Sequence, residues 1–182
     1  MYFFEKQYEY FSGPWPHIII NDALDLDLSN KLSEQFIESQ SPDTRTDLWN
    51  EFISYNESRL EDMVKLLDSV FNHSTGPYQY QTNLCGNLPN NGKVEKDWHI
   101  DGPDKIYQIL YYMDSEENTG YFEAANDANG TNSKIIPYQH NRILAFKSSH
   151  GQDNEKQTWH RFFSTVKSHR KTFNIPIQTI DI

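Results

Sequence analysis

Cysteine is nearly missing from this chain of 182 residues, and the single Cys85 excludes an internal disulfide. Positive charge is also scarce: 16 Lys and Arg stand against 26 Asp and Glu, for a formal net charge of −10. That balance argues against gripping a phosphate backbone, so nucleic acid is not the expected partner, although a nucleotide-sized ligand stays open. Long apolar runs are absent too. No stretch approaches the roughly 20 residues needed to span a bilayer, and no basic patch followed by an apolar run opens the chain. The expectation is a soluble, cytoplasmic protein with no membrane partner. Neither an internal repeat nor a low-complexity tract is visible.

What the sequence has in quantity is aromatic rings, with 4 Trp, 11 Tyr and 11 Phe making up 14% of the residues. Rings fill a core without disulfides and suit β-architecture. The length fits one domain, 1–182, divided into a helical N-terminal part of about 1–77 and a β-part of about 78–182.

In chain order, His17 to Ile20 reads as a short buried strand, and Ser29 as the cap of a helix through Leu32, Phe36 and Ile37. Pro42 to Asn50 is polar and reads as a loop, with Leu48, Trp49, Phe52 and Ile53 returning to the core. From Glu57 to about Phe71, Leu60, Met63, Val64, Leu67 and Val70 recur at helical spacing, and Gly76-Pro77 stops the helix. After Pro77 the pattern changes to short branched or aromatic runs: 78–84, 97–101, 105–113, 121–125, 134–137, 142–147, 159–166 and 170–177. Short strands at such spacing predict a sandwich or barrel against which the helices pack. The runs 90–96, 114–118 and 126–132 read as loops.

The chemistry concentrates in Trp98-His99-Ile100-Asp101. On a strand, alternate side chains share a face, so His99 and Asp101 point one way, Trp98 and Ile100 the other. Two ligands hold a divalent metal loosely. The third is expected from His160 in Thr158-Trp159-His160, with His150 as a rival in a polar stretch that reads as a loop. Two imidazoles and one carboxylate on one face, with open positions opposite, make the ligand set of non-haem iron(II) oxygenases. Further on, Arg170 and Thr172 share a strand face, and a guanidinium fork beside a hydroxyl is a clamp for a carboxylate. A lone His-x-Asp is more often a solvated pair on a strand end; the downstream residues give it weight.

These motifs taken together, His99-Ile100-Asp101, His160 and Arg170-Lys171-Thr172, resemble those of the iron(II)- and 2-oxoglutarate-dependent oxygenases, in particular the short prolyl-hydroxylase-like members. The resemblance implies a mainly β fold with flanking helices, a double-stranded β-helix or jelly-roll core with N-terminal helices packed on one sheet. It implies iron(II) held by His99, Asp101 and His160, with O2 and 2-oxoglutarate as co-substrates and ascorbate as a candidate reductant. The far carboxylate of 2-oxoglutarate would lie on Arg170 and Thr172, and Tyr107 would hydrogen-bond a co-substrate carboxylate. The reaction implied couples decarboxylation to succinate and CO2 with hydroxylation of a substrate that is either a small molecule or a protein side chain such as proline. Asp101 stands where related halogenases have a small residue, which points to hydroxylation. The reading from another class is a non-catalytic jelly-roll that binds a metal or small anion as a sensor. Oligomeric state is not encoded in any of these motifs.

Overall fold

His17-Ile18-Ile19-Ile20 forms a strand paired on both edges and buried on both faces, Ile18 and Ile20 packing into one apolar cluster and Ile19 into another. The computed structural model describes residues 7–36, 45–87, 94–113, 120–148, 157–164 and 170–180. Along them run β1 (Glu9–Phe11), β2 (His17–Ile20), α1 (Leu26–Glu34), α2 (Asp47–Glu57), α3 (Leu60–Phe71), β3 (Tyr78–Tyr80) and β4 (Asn83–Asn87). Then come β5 (Val94–His99), β6 (Lys105–Tyr112), β7 (Gly120–Ala125), β8 (Lys134–Pro137), β9 (Arg142–Lys147), β10 (Trp159–Ser164) and β11 (Arg170–Thr179). The chain is mainly β, in two antiparallel sheets. The larger has the order β1-β2-β9-β6-β11-β3, with β4 also paired to β11; the smaller is β5-β10-β7-β8. Strands β1 and β2 carry the larger sheet into the part of the sequence expected to be helical.

Two apolar clusters follow from this layering. One lies between the two sheets and contains Trp15, Leu110, Tyr112, Phe122, Leu144 and Phe146. The other joins Leu32, Trp49, Phe52, Met63 and Leu67 of the helices to Tyr107, Ile109, Phe173 and Ile175 of the larger sheet. Strand β6 is therefore covered on both faces, and its residues from Ile106 to Tyr112 are all buried. Among the described residues, no helix is long and apolar enough to cross a membrane.

Several local expectations are corrected. The cap of α1 is Asp25, whose carboxylate accepts from Asp27 and Leu28 N–H; Ser29 lies inside the helix, buried, with its hydroxyl 2.6 Å from that of Tyr111. A carboxylate at the start of the helix meets the unsatisfied N–H groups directly, which leaves the serine for the core. The segment read as a loop to Asn50 is helical from Asp47, because the Thr46 hydroxyl accepts from Trp49 N–H and Trp49, Phe52 and Ile53 form one buried face. The helical pattern over 57–71 is split between the end of α2 and α3, broken at Ser58-Arg59, and α3 ends on left-handed Asn72 (φ 50°), before the expected Gly76-Pro77. Val94 to Lys96 belong to β5 although they were expected in a loop; 90–93 and 114–118 lie outside the described residues.

Asp68 closes the end of α3. It accepts from the Thr75 hydroxyl (2.6 Å), Thr75 N–H (3.0 Å) and the Tyr107 hydroxyl (2.5 Å). Burial alone would raise this carboxyl, but the hydrogen bonds from Thr75 and Tyr107 outweigh burial and hold it below its ordinary value. A carboxyl depressed in the folded state contributes stability that is complete above its unfolded pKa near 4 and is lost as pH falls through the folded value. Asp68→Ala is expected to lower stability at pH 7 by about 1 kcal/mol and to flatten the acid limb below pH ~4. Urea melts across pH 2 to 7 measure both; an unchanged acid limb would show that Asp68 contributes nothing to it.

Candidate metal centre and its pocket

His99 ends β5, and His160 is its direct partner on β10, so the two imidazoles face each other across one antiparallel pair with ring centroids 4.3 Å apart. The pairing slips twice along these strands, between His160 and Phe162 and again between Phe162 and Phe163, with the extra residues on β5. Bulges of this kind re-aim side chains beside active sites. Each ring is oriented the same way: His99 Nδ1 is 2.8 Å from the carbonyl of Asp97, and His160 Nδ1 is 2.8 Å from the carbonyl of Thr158. A carbonyl only accepts, so Nδ1 carries the proton and Nε2 is the donor nitrogen of each ring.

Asp101 does not lie on the strand. β5 stops at His99, and Asp101 is the second residue of the loop to β6. That loop is pinned by Lys105 N–H on the Gly102 carbonyl (3.0 Å) and by Thr179 N–H on the Asp104 carbonyl (2.7 Å), with Gln178 Nε2 on Asp104 Oδ2 (2.5 Å). The turn returns the carboxylate to the face predicted for it by alternation. Its Oδ1 accepts from Lys105 Nζ at 2.9 Å, while Oδ2 is buried, has no hydrogen bond among the described residues, and lies 3.9 Å from His160 Nε2. Burial pushes the Asp101 carboxyl up, but the neighbouring His160 and Lys105, and more weakly His99, outweigh it and keep the carboxyl below its ordinary value.

One ligand atom from each of His99, Asp101 and His160 lies within 4.8 Å of the others. Two imidazole nitrogens and a carboxylate oxygen brought this close are a donor set suited to a divalent transition metal, iron(II) among them. Behind the centre, Trp98 faces the other way, where the Arg161 guanidinium lies 4.5 Å from its ring and pairs with Glu123 (2.7 Å). A methyl group at Gly130 would come within 2.8 Å of the Trp98 ring, so that position must stay bare. In front of the centre is a cavity of about 190 Å³ lined by Phe146, Phe162 and Leu110 among apolar residues, and by Lys105, Gln108, Thr172 and Asn174 among polar ones.

Thr172 lines the same pocket as the three ligand candidates. Arg170 is two residues earlier on β11, with a backbone described and a side chain outside the described part of the chain; His150 also lies outside it. Tyr107 is not in the pocket. It sits on the opposite face of β6, under α3, where its hydroxyl is committed to Asp68. The pocket face of β6 carries Gln108 and Leu110. The alternation of β6 offered two faces, and burial of both left no polar edge to tell them apart. Gln108, Asn174 and Lys105 were not anticipated. Three buried oxygens of this pocket, Gln108 Oε1, Thr172 Oγ1 and Asn174 Oδ1, have no hydrogen-bond partner among the described residues, and such groups are costly unless something pairs with them.

No protein-family model matches the sequence, and no curated protein does. Solved structures do match. A prolyl 4-hydroxylase of Phytophthora capsici superposes with a TM-score of 0.65 at 12% identity, over 91% of this chain and 59% of that one. A prolyl hydroxylase of Trichoplax adhaerens, in complex with a peptide fragment from the oxygen degradation domain of hypoxia inducible factor, gives 0.62 at 15% identity over 89% and 83%. A viral collagen prolyl hydroxylase of Paramecium Bursaria Chlorella virus-1, in its complex with 2-oxoglutarate, gives 0.55 at 10% identity over 91% and 96%. Identities this low make the shared property the fold.

Proposed function

We propose that this chain, which carries the fold of the prolyl hydroxylases, is an iron(II)- and 2-oxoglutarate-dependent dioxygenase that hydroxylates a side chain or small molecule. The observation that carries the reading is the convergence of His99, Asp101 and His160 on one point, with an unpartnered Asp101 oxygen among them. Proline in a peptide is the substrate class to test first, by likeness to the structural neighbours.

His99 and His160 would bind the metal through Nε2 and Asp101 through Oδ2. Bound iron(II) would supply the chemistry that couples decarboxylation of 2-oxoglutarate to succinate and CO2 with oxidation of a C–H bond by O2. The chain's own part is positional. Asp101 is ionised at neutral pH and adds one negative charge to two neutral rings, leaving the centre cationic toward an anionic co-substrate. Phe146, Phe162 and Leu110 keep the neighbouring space apolar and exclude water. Thr172, Gln108 and Asn174 offer hydrogen bonds along the pocket, and Arg170 would pair with the far carboxylate of the co-substrate.

The direct test is succinate formation from 2-oxoglutarate with iron(II), O2 and a panel of proline-containing peptides; no turnover and no binding of 2-oxoglutarate to the metal-loaded protein would sink the reading. Within it, Arg170→Ala is expected to weaken 2-oxoglutarate binding by about 10- to 100-fold, the size of a lost charged hydrogen bond of about 1.5–3 kcal/mol. Calorimetry with the metal-loaded protein measures it. Unchanged affinity would remove Arg170 from the clamp.

A further inference from the structure

The carboxylate of Asp101 has two oxygens, and they are treated differently. Oδ1 is held by Lys105 Nζ at 2.9 Å, and Oδ2 faces His160 Nε2 at 3.9 Å with no hydrogen bond among the described residues. Lys105 is the first residue of β6, only four positions on, and its backbone N–H closes the same turn. Ammonium and carboxylate are both largely shielded, with side-chain exposures of 27% and 9%, so the pair is not a loose surface contact. The ammonium leaves one oxygen to the metal.

We infer that Lys105 is a positioning residue that restricts Asp101 to one-oxygen ligation and so sets how many places on the metal stay open. This rests on the reading of the site given above. A six-coordinate ion held by two imidazoles and one carboxylate oxygen keeps three adjacent places, two for a chelating 2-oxo acid and one for O2. A carboxylate that turns both oxygens to the metal takes one of those places. Carboxylates do bind divalent ions through either one or both oxygens, so the choice falls to the group holding the second oxygen. Here that group is a cation, which prefers Oδ1 to stay where it is and carries three donors of its own. Lys105 also borders the cavity, so a direct contact with the co-substrate is the rival explanation, and the test must separate the two.

The experiment is a cobalt(II) titration of the full chain, read by visible absorption before any co-substrate is added, followed by titration with 2-oxoglutarate. Lys105→Met, similar in length and uncharged, is compared with wild type and with Lys105→Arg; circular dichroism verifies folding, and Lys105→Gln serves if the methionine variant fails to fold. Expected for Lys105→Met is cobalt(II) affinity within about threefold of wild type, a changed cobalt(II) spectrum without co-substrate, and at least a tenfold loss in 2-oxoglutarate affinity; Lys105→Arg restores spectrum and affinity. An unchanged spectrum overturns the inference, whether or not 2-oxoglutarate binding falls, because a fall alone means that Lys105 touches the co-substrate directly. A changed spectrum with full 2-oxoglutarate affinity also overturns it, since no open place has then been lost. Wild-type protein that takes up no cobalt(II) overturns the reading of the site and the inference with it, an outcome distinct from any seen only in the variants.

Discussion

His160→Ala is expected to reduce turnover to background and to weaken metal binding at least about a thousandfold, equivalent to ~4 kcal/mol. His160 is the most enclosed of the three ligand candidates, 2% exposed, and its strand is paired on both sides by β5 and β7. Its ring is stacked on Phe122 (centroids 5.1 Å) and set edge-on to Phe146 (5.5 Å), so no other side chain can swing into its place without displacing them. The variant also leaves a void between aromatic rings, so a thermal melt belongs beside the metal titration to separate lost ligation from lost packing. Wild-type affinity for cobalt(II) in a folded His160→Ala protein would mean that the centre is held elsewhere.

The second large effect is expected from a residue remote in sequence from the centre. Trp15 is wholly buried between the sheets, with ring contacts to Phe146 (4.9 Å) and Phe122 (6.0 Å), and its indole N–H donates to the carbonyl of Trp159 (3.1 Å). Trp159 immediately precedes His160. Truncating so large a ring in a closed core costs about 3–5 kcal/mol, and in a chain of this size that lowers Tm by ~10 °C. Trp15→Ala is therefore expected to be the most destabilising substitution in the cluster between the sheets, and to weaken metal binding as well because β10 loses its backing. Trp15→Phe keeps part of the volume and loses the hydrogen bond, so its cost should be less than half as large. Differential scanning calorimetry orders the variants; equal melting temperatures for Trp15→Ala and wild type would contradict this account of the core.

The site was legible in the sequence to the extent that its geometry is local or follows from strand alternation. A period of two proposed a common direction for His99 and Asp101 and, separately, for Arg170 and Thr172; that the two pairs belong to one site came from the resemblance of the motifs, and Thr172 does line the pocket in front of His99, Asp101 and His160. For Asp101 the period led to the right face by the wrong route, since a pinned turn rather than a strand returns its carboxylate to the histidines. Tyr107 shows where the same period fails: on a strand covered from both sides, alternation separates two faces without saying which one looks into the pocket. The helix over Asp47–Glu57 was partly missed because its buried face is short and its exposed face reads like a loop. Lys105, Gln108 and Asn174 carry no motif, and their relevance arises only from what surrounds them: an ionic partner for one, missing partners for the others.

The two histidines differ in how they are mounted. β10 has a strand on each side, whereas β5 lies at the margin of the smaller sheet and, among the described residues, pairs with β10 alone. Marginal strands open by small local excursions that leave the rest of a domain intact. On the proposed reading His99 would be the jaw mounted on the outer strand and His160 the fixed one, and a bound ion would act as a rivet between that strand and its neighbour. Amide hydrogens of Asp97 and Trp98 should exchange with solvent appreciably faster in metal-free protein than in loaded protein, with those of Tyr107 to Tyr111 almost indifferent to loading.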